Sequence, residues 1–263
     1  MTPPSSTTDP LAGIEGRSVL ITGGGSGIGA GLAAYLCARG ARVTITGRRA
    51  QRLAEVAESI GAACHPVPGD VTRAEDRERM VDEAVAHGGG LDALVNAAAN
   101  MTRGPIDELV EQDLLEVFHG NVVGPMMLSG LCVPHLERSR GVIVLFGSVH
   151  TTRAFPGASP YAATKGALET LTGVLAAELG PKGIRVSCVR PGGVFTEINQ
   201  RAGLFDDDTA RRRLEDLGPA HALGRIGSVE EVSQAIEYLI CAPWTTGSVL
   251  VVDGGLGLGV THA

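Results

Sequence analysis

Short apolar runs recur along the chain, separated by longer stretches in which hydrophobic residues return every three or four positions. The runs fall at residues 18–22, 42–46, 63–68, 91–96, 141–148, 184–190 and 248–252. They are apolar throughout and do not alternate, the pattern of strands covered on both faces. Between them the helical period predicts helices over 28–39, 50–60, 74–87, 107–137, 161–179 and 229–241. Strands alternating with helices imply βαβ units, a parallel seven-stranded sheet and an α/β, doubly wound, Rossmann-type domain. Gly88, Gly89 and Gly90 form a loop before the fourth strand. The pattern is least regular over 194–228, which reads as a substrate loop or lid. Inside it, acids followed by arginines over 206–214 read as a helix start that is either a solvated surface element or part of that lid.

Composition narrows this picture. With 263 residues, 44% of them hydrophobic, and 37 glycines, the chain has enough apolar surface for a large core and enough glycine for many tight turns. One domain over 13–263 is expected, behind a polar tail at 1–12 that lacks the basic and apolar regions of a signal peptide. A net charge of -7 provides no basic field for nucleic acid or anionic membrane. No apolar run approaches the roughly 20 residues of a bilayer span, so small-molecule chemistry in the cytoplasm is the expectation. The five cysteines, Cys37, Cys64, Cys132, Cys188 and Cys241, lack metal-ligand spacing and read as reduced thiols, with no metal site.

Two motifs carry chemistry. Thr22-Gly-Gly-Gly-Ser-Gly-Ile-Gly29 lies between the first strand and the first helix. Its backbone amides and the helix N-terminus can approach a pyrophosphate with no side chain in the way, and the spacing is not that of a P-loop. Tyr161 and Lys165 stand at i and i+4 on a helix, where the ammonium can lie beside the phenol and favour its ionised form. Only Lys165 and Lys182 of the 22 basic residues are lysines, which makes a compact point charge at 165 less accidental.

Thr22-Gly23-x-x-x-Gly27-x-Gly29, Asp70, Asn96-Ala-Ala-Ala99, Asn121, Ser148, Tyr161-x-x-x-Lys165 and Pro191-Gly192 occur in that order. In order and spacing this set resembles the short-chain dehydrogenase/reductase family over nearly the whole chain. The resemblance implies strand order 3-2-1-4-5-6-7, an NAD(H) or NADP(H) cofactor, and a catalytic set of Asn121, Ser148, Tyr161 and Lys165. It implies that Tyr161 exchanges the proton and Ser148 hydrogen-bonds the reacting oxygen. Lys165 would lower the phenol pKa and hold the nicotinamide ribose, and Asn121 would bind a water leading to solvent. Cofactor contacts are expected from Gly23, Ser26, Gly27, Ile28, Gly29, Arg48, Asp70, Val71, Asn96, Ala97, Tyr161, Lys165, Pro191, Gly192, Val194 and Thr196. Asp70 matches the adenine-contacting position, although a bare aspartate there also reads as a surface turn residue.

The chain departs from the family pattern at Asn96-Ala97-Ala98-Ala99, where Asn-Asn-Ala-Gly is usual. The added methyl group narrows the site without removing it. At the end of the second strand, Thr46-Gly47-Arg48-Arg49 offers no acid to a ribose 2′-hydroxyl and two arginines to a 2′-phosphate, which favours NADP(H) over NAD(H). Both arginines are also ordinary charges for a helix start. His150, Phe155, Gly193, Phe195 and Phe205 flank the expected site and suggest an apolar carbonyl or alcohol substrate; core packing of the rings is equally open. The leading expectation is an NADP(H)-dependent carbonyl reductase or secondary-alcohol dehydrogenase. An NAD-linked dehydrogenase and a nucleotide-binding regulatory protein without turnover are the alternatives. Apolar residues on more than one face of the 107–137 and 161–179 helices, Leu168, Leu171 and Leu175 among them, suggest a homo-oligomer, a dimer or tetramer.

Overall fold

In the computed structural model, residues 13–195, 209, 212 and 215–259 are described. Seven parallel strands form one sheet: β1 (Ser18–Thr22), β2 (Arg42–Gly47), β3 (Cys64–Pro68), β4 (Ala93–Asn96), β5 (Val142–Phe146), β6 (Arg185–Pro191) and β7 (Val249–Val252). Their order is β3-β2-β1-β4-β5-β6-β7, so the chain reverses direction across the sheet between β1 and β4. The helices are α1 (Gly27–Cys37), α2 (Ala50–Ile60), α3 (Ala74–Gly88), α4 (Glu111–Phe118), α5 (Gly124–Ser139), α6 (Ser159–Leu179) and α7 (Val229–Cys241).

The unbroken apolar strand runs have a direct cause. On β1, Val19 and Ile21 enter one core cluster with Leu32 and Leu36 of α1 and Ile236 of α7. Leu20, between them, enters the other cluster with Leu128 and Leu136 of α5 and Leu168 of α6. Ala93 and Val95 oppose Leu94 on β4 in the same way, so each central strand needs apolar side chains in both directions. The edge strand β7 has no fully buried residue.

The predicted helix over 107–137 differs most from the sequence reading. A short 3₁₀ turn occupies Ile106–Glu108, and α4 passes into α5 through one turn of π geometry at His119–Val123. The resulting stretch Glu111–Ser139 is 29 residues long and, by length and composition, apolar enough to cross a bilayer, contrary to the sequence expectation. In this fold one face of it enters the core, with Val117, Leu128, Cys132 and Leu136 buried. Leu168 is likewise inside the protein's own core, and Leu171 and Leu175 pack against it; these three do not form a free face.

Every β-to-α turn that matters to the site opens at the C-terminal edge of the sheet, the usual place for ligands in a doubly wound fold. One carboxylate fixes α6 against that edge. Glu169 accepts from Arg190 Nε at 2.9 Å and Nη2 at 2.6 Å on β6, and from Thr151 Oγ1 at 2.9 Å just beyond β5. A Cβ at Gly147 would collide with this carboxylate, so the β5 exit passes directly over it. Replacing Glu169 by Ala should leave the Arg190 guanidinium half-buried without its partner and lower the unfolding free energy by about 3 kcal/mol. Chemical denaturation would measure this, and a loss below about 1 kcal/mol, the range of an exposed pair, would show that α6 is held by packing alone.

Candidate active site

The glycine turn follows β1 and leads into α1. Gly23 has φ +72 and crosses the loop after β4 so closely that a Cβ would stand 2.9 Å from Ala98 Cα. Gly29 lies against the turn itself, where a Cβ would stand 2.5 Å from the Gly23 carbonyl oxygen. The crossing is pinned by Thr22 Oγ1, which accepts from Ala98 N at 3.0 Å. Ser26, at the start of α1, gives no side-chain cap, and the first helical turn contains no acid. The amides of Gly27, Ile28 and Gly29 therefore keep the donor capacity that every helix N-terminus has, and a pyrophosphate fits there.

Beside this turn lies a cavity of about 290 Å³ lined by Gly47, Arg48, Asp70, Val71, Ala99 and Asn100, among others. The cavity persists with alanine at position 99. Arg48 donates to Asn100 Oδ1 at 3.3 Å, and Arg49 donates to Ser26 Oγ at 2.9 Å. Two guanidinium groups thus border the corner beyond β2, with no acid in the Gly47-Arg48-Arg49 turn. Asp70 is a turn residue as well as a cavity wall: its Oδ1 accepts from Thr72 N at 3.0 Å and Thr72 Oγ1 at 2.8 Å. Asn96 is buried and donates to Ser129 Oγ at 3.4 Å, and Ala97 packs against the core.

The second group gathers across β5 and α6. Tyr161, Lys165, Leu168, Thr172, Ala176 and Leu179 make one buried stripe of α6, which turns Tyr161 and Lys165 inward together. Lys165 Nζ donates to the Phe146 carbonyl at 3.0 Å and lies 5.5 Å from the centroid of the Tyr161 ring. Ser148, directly after β5, is 7% exposed, as is Tyr161. Asn121 sits in the π turn. It donates to the Asn100 carbonyl at 2.8 Å and to Thr164 Oγ1 at 3.1 Å, and accepts from Asn100 N at 2.8 Å. It therefore joins the loop after β4 to the first turns of α6.

Burial dominates the proton affinities of this group. The Tyr161 phenol is pushed up to about 12 by desolvation, against which a hydrogen bond from Ser148 and then the charge of Arg103 act downward. Lys165 is pushed down to about 8, again by desolvation first. The Lys165 ammonium faces the Phe146 carbonyl, and the downward influences on Tyr161 come from Ser148 and Arg103.

His150, half-buried, belongs to the same group. Burial, with the charges of Arg103 and Lys165, holds its pKa down at about 4, so it does not titrate near neutrality. Its ring nitrogens meet protein groups, Nδ1 with Ser148 Oγ at 3.0 Å and Nε2 with Arg103 Nη2 at 3.3 Å. The ring stands edge-on to Tyr161 at 5.2 Å and 4.4 Å from Phe155. Phe155 thus does flank the site. Pro191 ends β6, and Gly193 N donates to Nε2 of the buried His221 at 3.3 Å. Gly192 donates to the Val252 carbonyl, and Val194 forms an isolated bridge with Gly227. Phe195 is half-buried. Thr196, Phe205 and the expected helix over 206–214 lie outside the described residues, save for the isolated positions 209 and 212. Sequence reasoning missed Asn100, Arg103, Glu169 and His221. Only Asn100, adjoining the Asn96-Ala-Ala-Ala99 motif, left a signal that could have been followed.

Comparison with known proteins agrees with this arrangement. A family model described as Enoyl-(Acyl carrier protein) reductase matches residues 23–257. L-fucose dehydrogenase of Bos taurus is 35% identical, the match covering 93% of this chain and 90% of the bovine one. A crystal structure described as a short-chain dehydrogenase/reductase of unknown function from Caenorhabditis elegans, with cofactor, superposes with a TM-score of 0.87 at 27% identity, covering 94% of this chain and 97% of the other. The structure of 3-ketoacyl-(acyl-carrier-protein) reductase from Brucella melitensis, complexed with NADH, gives a TM-score of 0.84 at 30% identity over 93% and 99% of the two chains. With a family model spanning most of its length and the strand order and site motifs in place, this chain belongs to the short-chain dehydrogenase/reductase family of oxidoreductases.

Proposed function

We propose that this protein transfers a hydride between NADP(H) and a carbonyl or secondary-alcohol substrate, with Tyr161 as general acid or base. The observation that carries this reading is the convergence of Tyr161, Ser148 and Lys165, all buried, at the sheet edge beside an uncapped helix N-terminus. Bound in that cleft, the nicotinamide ring would supply or take up the hydride.

Ser148 and Tyr161 then address the same substrate oxygen. A phenol at about 12 retains its proton at neutral pH, which suits donation to the oxygen of a carbonyl as charge builds there. Lys165, at about 8, is mostly an ammonium at pH 7, so it stabilises negative charge developing on the phenolic oxygen and offers donors to ribose hydroxyls. Asn121 holds the first turns of α6 in place through Thr164. Phe155, beside His150 and near Tyr161, supports an apolar ketone. The cofactor assignment is supported by Arg48 and Arg49 and by the lack of an acid in the turn beyond β2. The NADH in the Brucella structure and the name of the bovine relative favour a second reading, an NAD-dependent alcohol dehydrogenase.

Self-association is part of the proposal. Leu115, Phe118, Met126, Met127 and Leu131 leave an apolar row exposed along α4 and α5, and a second copy of the same row would cover it. Light scattering should give the mass of a dimer or tetramer; a monomer at micromolar concentration would refute this part.

Tyr161→Phe should reduce turnover by about 10²- to 10⁴-fold with cofactor affinity unchanged, because only the proton carrier is removed. Turnover within a few-fold of the parent would eliminate Tyr161 as the acid. Arg48→Ala should weaken NADPH by about tenfold, the worth of a charge-assisted hydrogen bond, and NADH far less. Fluorescence titration with the two cofactors separates the readings: equal losses remove Arg48 from phosphate recognition, and tighter NADH binding by the parent replaces NADP(H) with NAD(H).

A further inference from the structure

One chain of polar groups runs beside the site. Arg103 follows β4 in a loop, His150 follows Ser148 in a short 3₁₀ turn at Val149–Thr151, and neither is among the residues that carry the family resemblance. Arg103 Nη2 and His150 Nε2 are 3.3 Å apart, and His150 Nδ1 and Ser148 Oγ are 3.0 Å apart. The backbone N–H of His150 also donates to Ser148 Oγ, at 3.3 Å.

These partners fix the direction of each bond. A guanidinium only donates, so Nε2 of His150 must accept from Arg103. With its single ring proton, the neutral imidazole then carries hydrogen on Nδ1 and donates it to Ser148 Oγ. Ser148 Oγ now accepts twice, from Nδ1–H and from the backbone N–H, which uses both of its lone pairs. Its own hydroxyl hydrogen is left as its only remaining function, and Tyr161 is within hydrogen-bond reach of it. The phenol therefore cannot donate into Ser148, and its proton stays available to the substrate oxygen.

We propose that Arg103 and His150 are positioning residues that fix Ser148 as a one-way hydrogen-bond donor toward the phenolic and substrate oxygens. The proposal rests on the functional reading given above and deepens it. The His150 ring is packed, 4.4 Å from the tilted ring of Phe155 and 5.2 Å from the nearly perpendicular ring of Tyr161. The electrostatics agree, since His150 is held neutral and both Ser148 and Arg103 act on Tyr161 in the direction that eases loss of its proton.

The tautomer can be read without any turnover. Long-range ¹H–¹⁵N correlation of the imidazoles, assigned with His150→Asn, should show His150 protonated on Nδ1 and bare on Nε2 at pH 7 in the parent protein. The reverse tautomer, or a cationic ring, overturns the proposal. Kinetics give the second readout. His150→Phe keeps the ring volume and removes the donor, so kcat should fall by about tenfold, the worth of one hydrogen bond of about 1.4 kcal/mol, with KM and cofactor affinity little changed. His150→Asn places an amide N–H near the position of Nδ1 and should recover most of that loss. Unchanged kcat in His150→Phe, or equal kcat in the two variants, overturns the proposal. Arg103→Met should let both tautomers appear in the spectrum, and an unshifted population would remove Arg103 from the chain. If the parent reduces no carbonyl with either nicotinamide, the functional reading fails, while the tautomer measurement still decides the direction of the bonds.

Discussion

The Glu169 carboxylate takes two hydrogen bonds from Arg190 on β6 and one from Thr151 beyond β5, and so ties one helix to two neighbouring strand exits at the level of the site. Tyr161 and Lys165 belong to that helix, and Ser148 belongs to one of those exits. Their mutual distances are therefore set by a short ionic strut as much as by the apolar stripe beneath it. The charges are only partly exposed, 12% for Glu169 and 18% for Arg190. A pair in that position contributes more than a surface pair, because water competes weakly for either partner, and loses more when one partner is removed. Rigid placement of this kind is what a proton transfer over a hydrogen-bond distance requires.

Burial then shapes the chemistry of what the strut holds. Desolvation penalises the charged form of each titratable group, and here it moves the phenol up to about 12, the amine down to about 8 and the imidazole down to about 4. Near neutrality the site thus contains a protonated phenol, an ammonium and a neutral imidazole. Only the amine lies close enough to neutral pH for a modest change in surroundings to alter its charge.

The sheet was legible from the chain because its central strands are covered twice. Val19, Leu20 and Ile21 each need a core neighbour, so the run shows no gaps and no alternation. The glycine turn and the Tyr161/Lys165 pair were legible because backbone approach and helical spacing each admit few residue types. The π turn was not, since one extra residue leaves the apolar period of 111–139 readable as a single helix. Arg103 was not legible either: it is one of many arginines, in a loop, and its role depends on a histidine 47 positions away. The partners of Lys165 and His150 were not legible, because proximity in sequence does not say which carbonyl or hydroxyl each polar head will find.

The turn of π geometry at His119–Val123 has a consequence for the shape of the whole helical rod. One residue added within a turn rotates everything beyond it by about 100° relative to an unbroken α-helix. Before the twist the rod sends Val117 inward and leaves Leu115 in solvent; after it, Leu128, Cys132 and Leu136 lie along the core seam. Asn121 occupies the twist itself, where backbone spacing is locally widened. The rod thus serves as a crank: a side chain gripping two loops at its elbow, with each arm free to find its own seat, which no straight cylinder of equal length could offer.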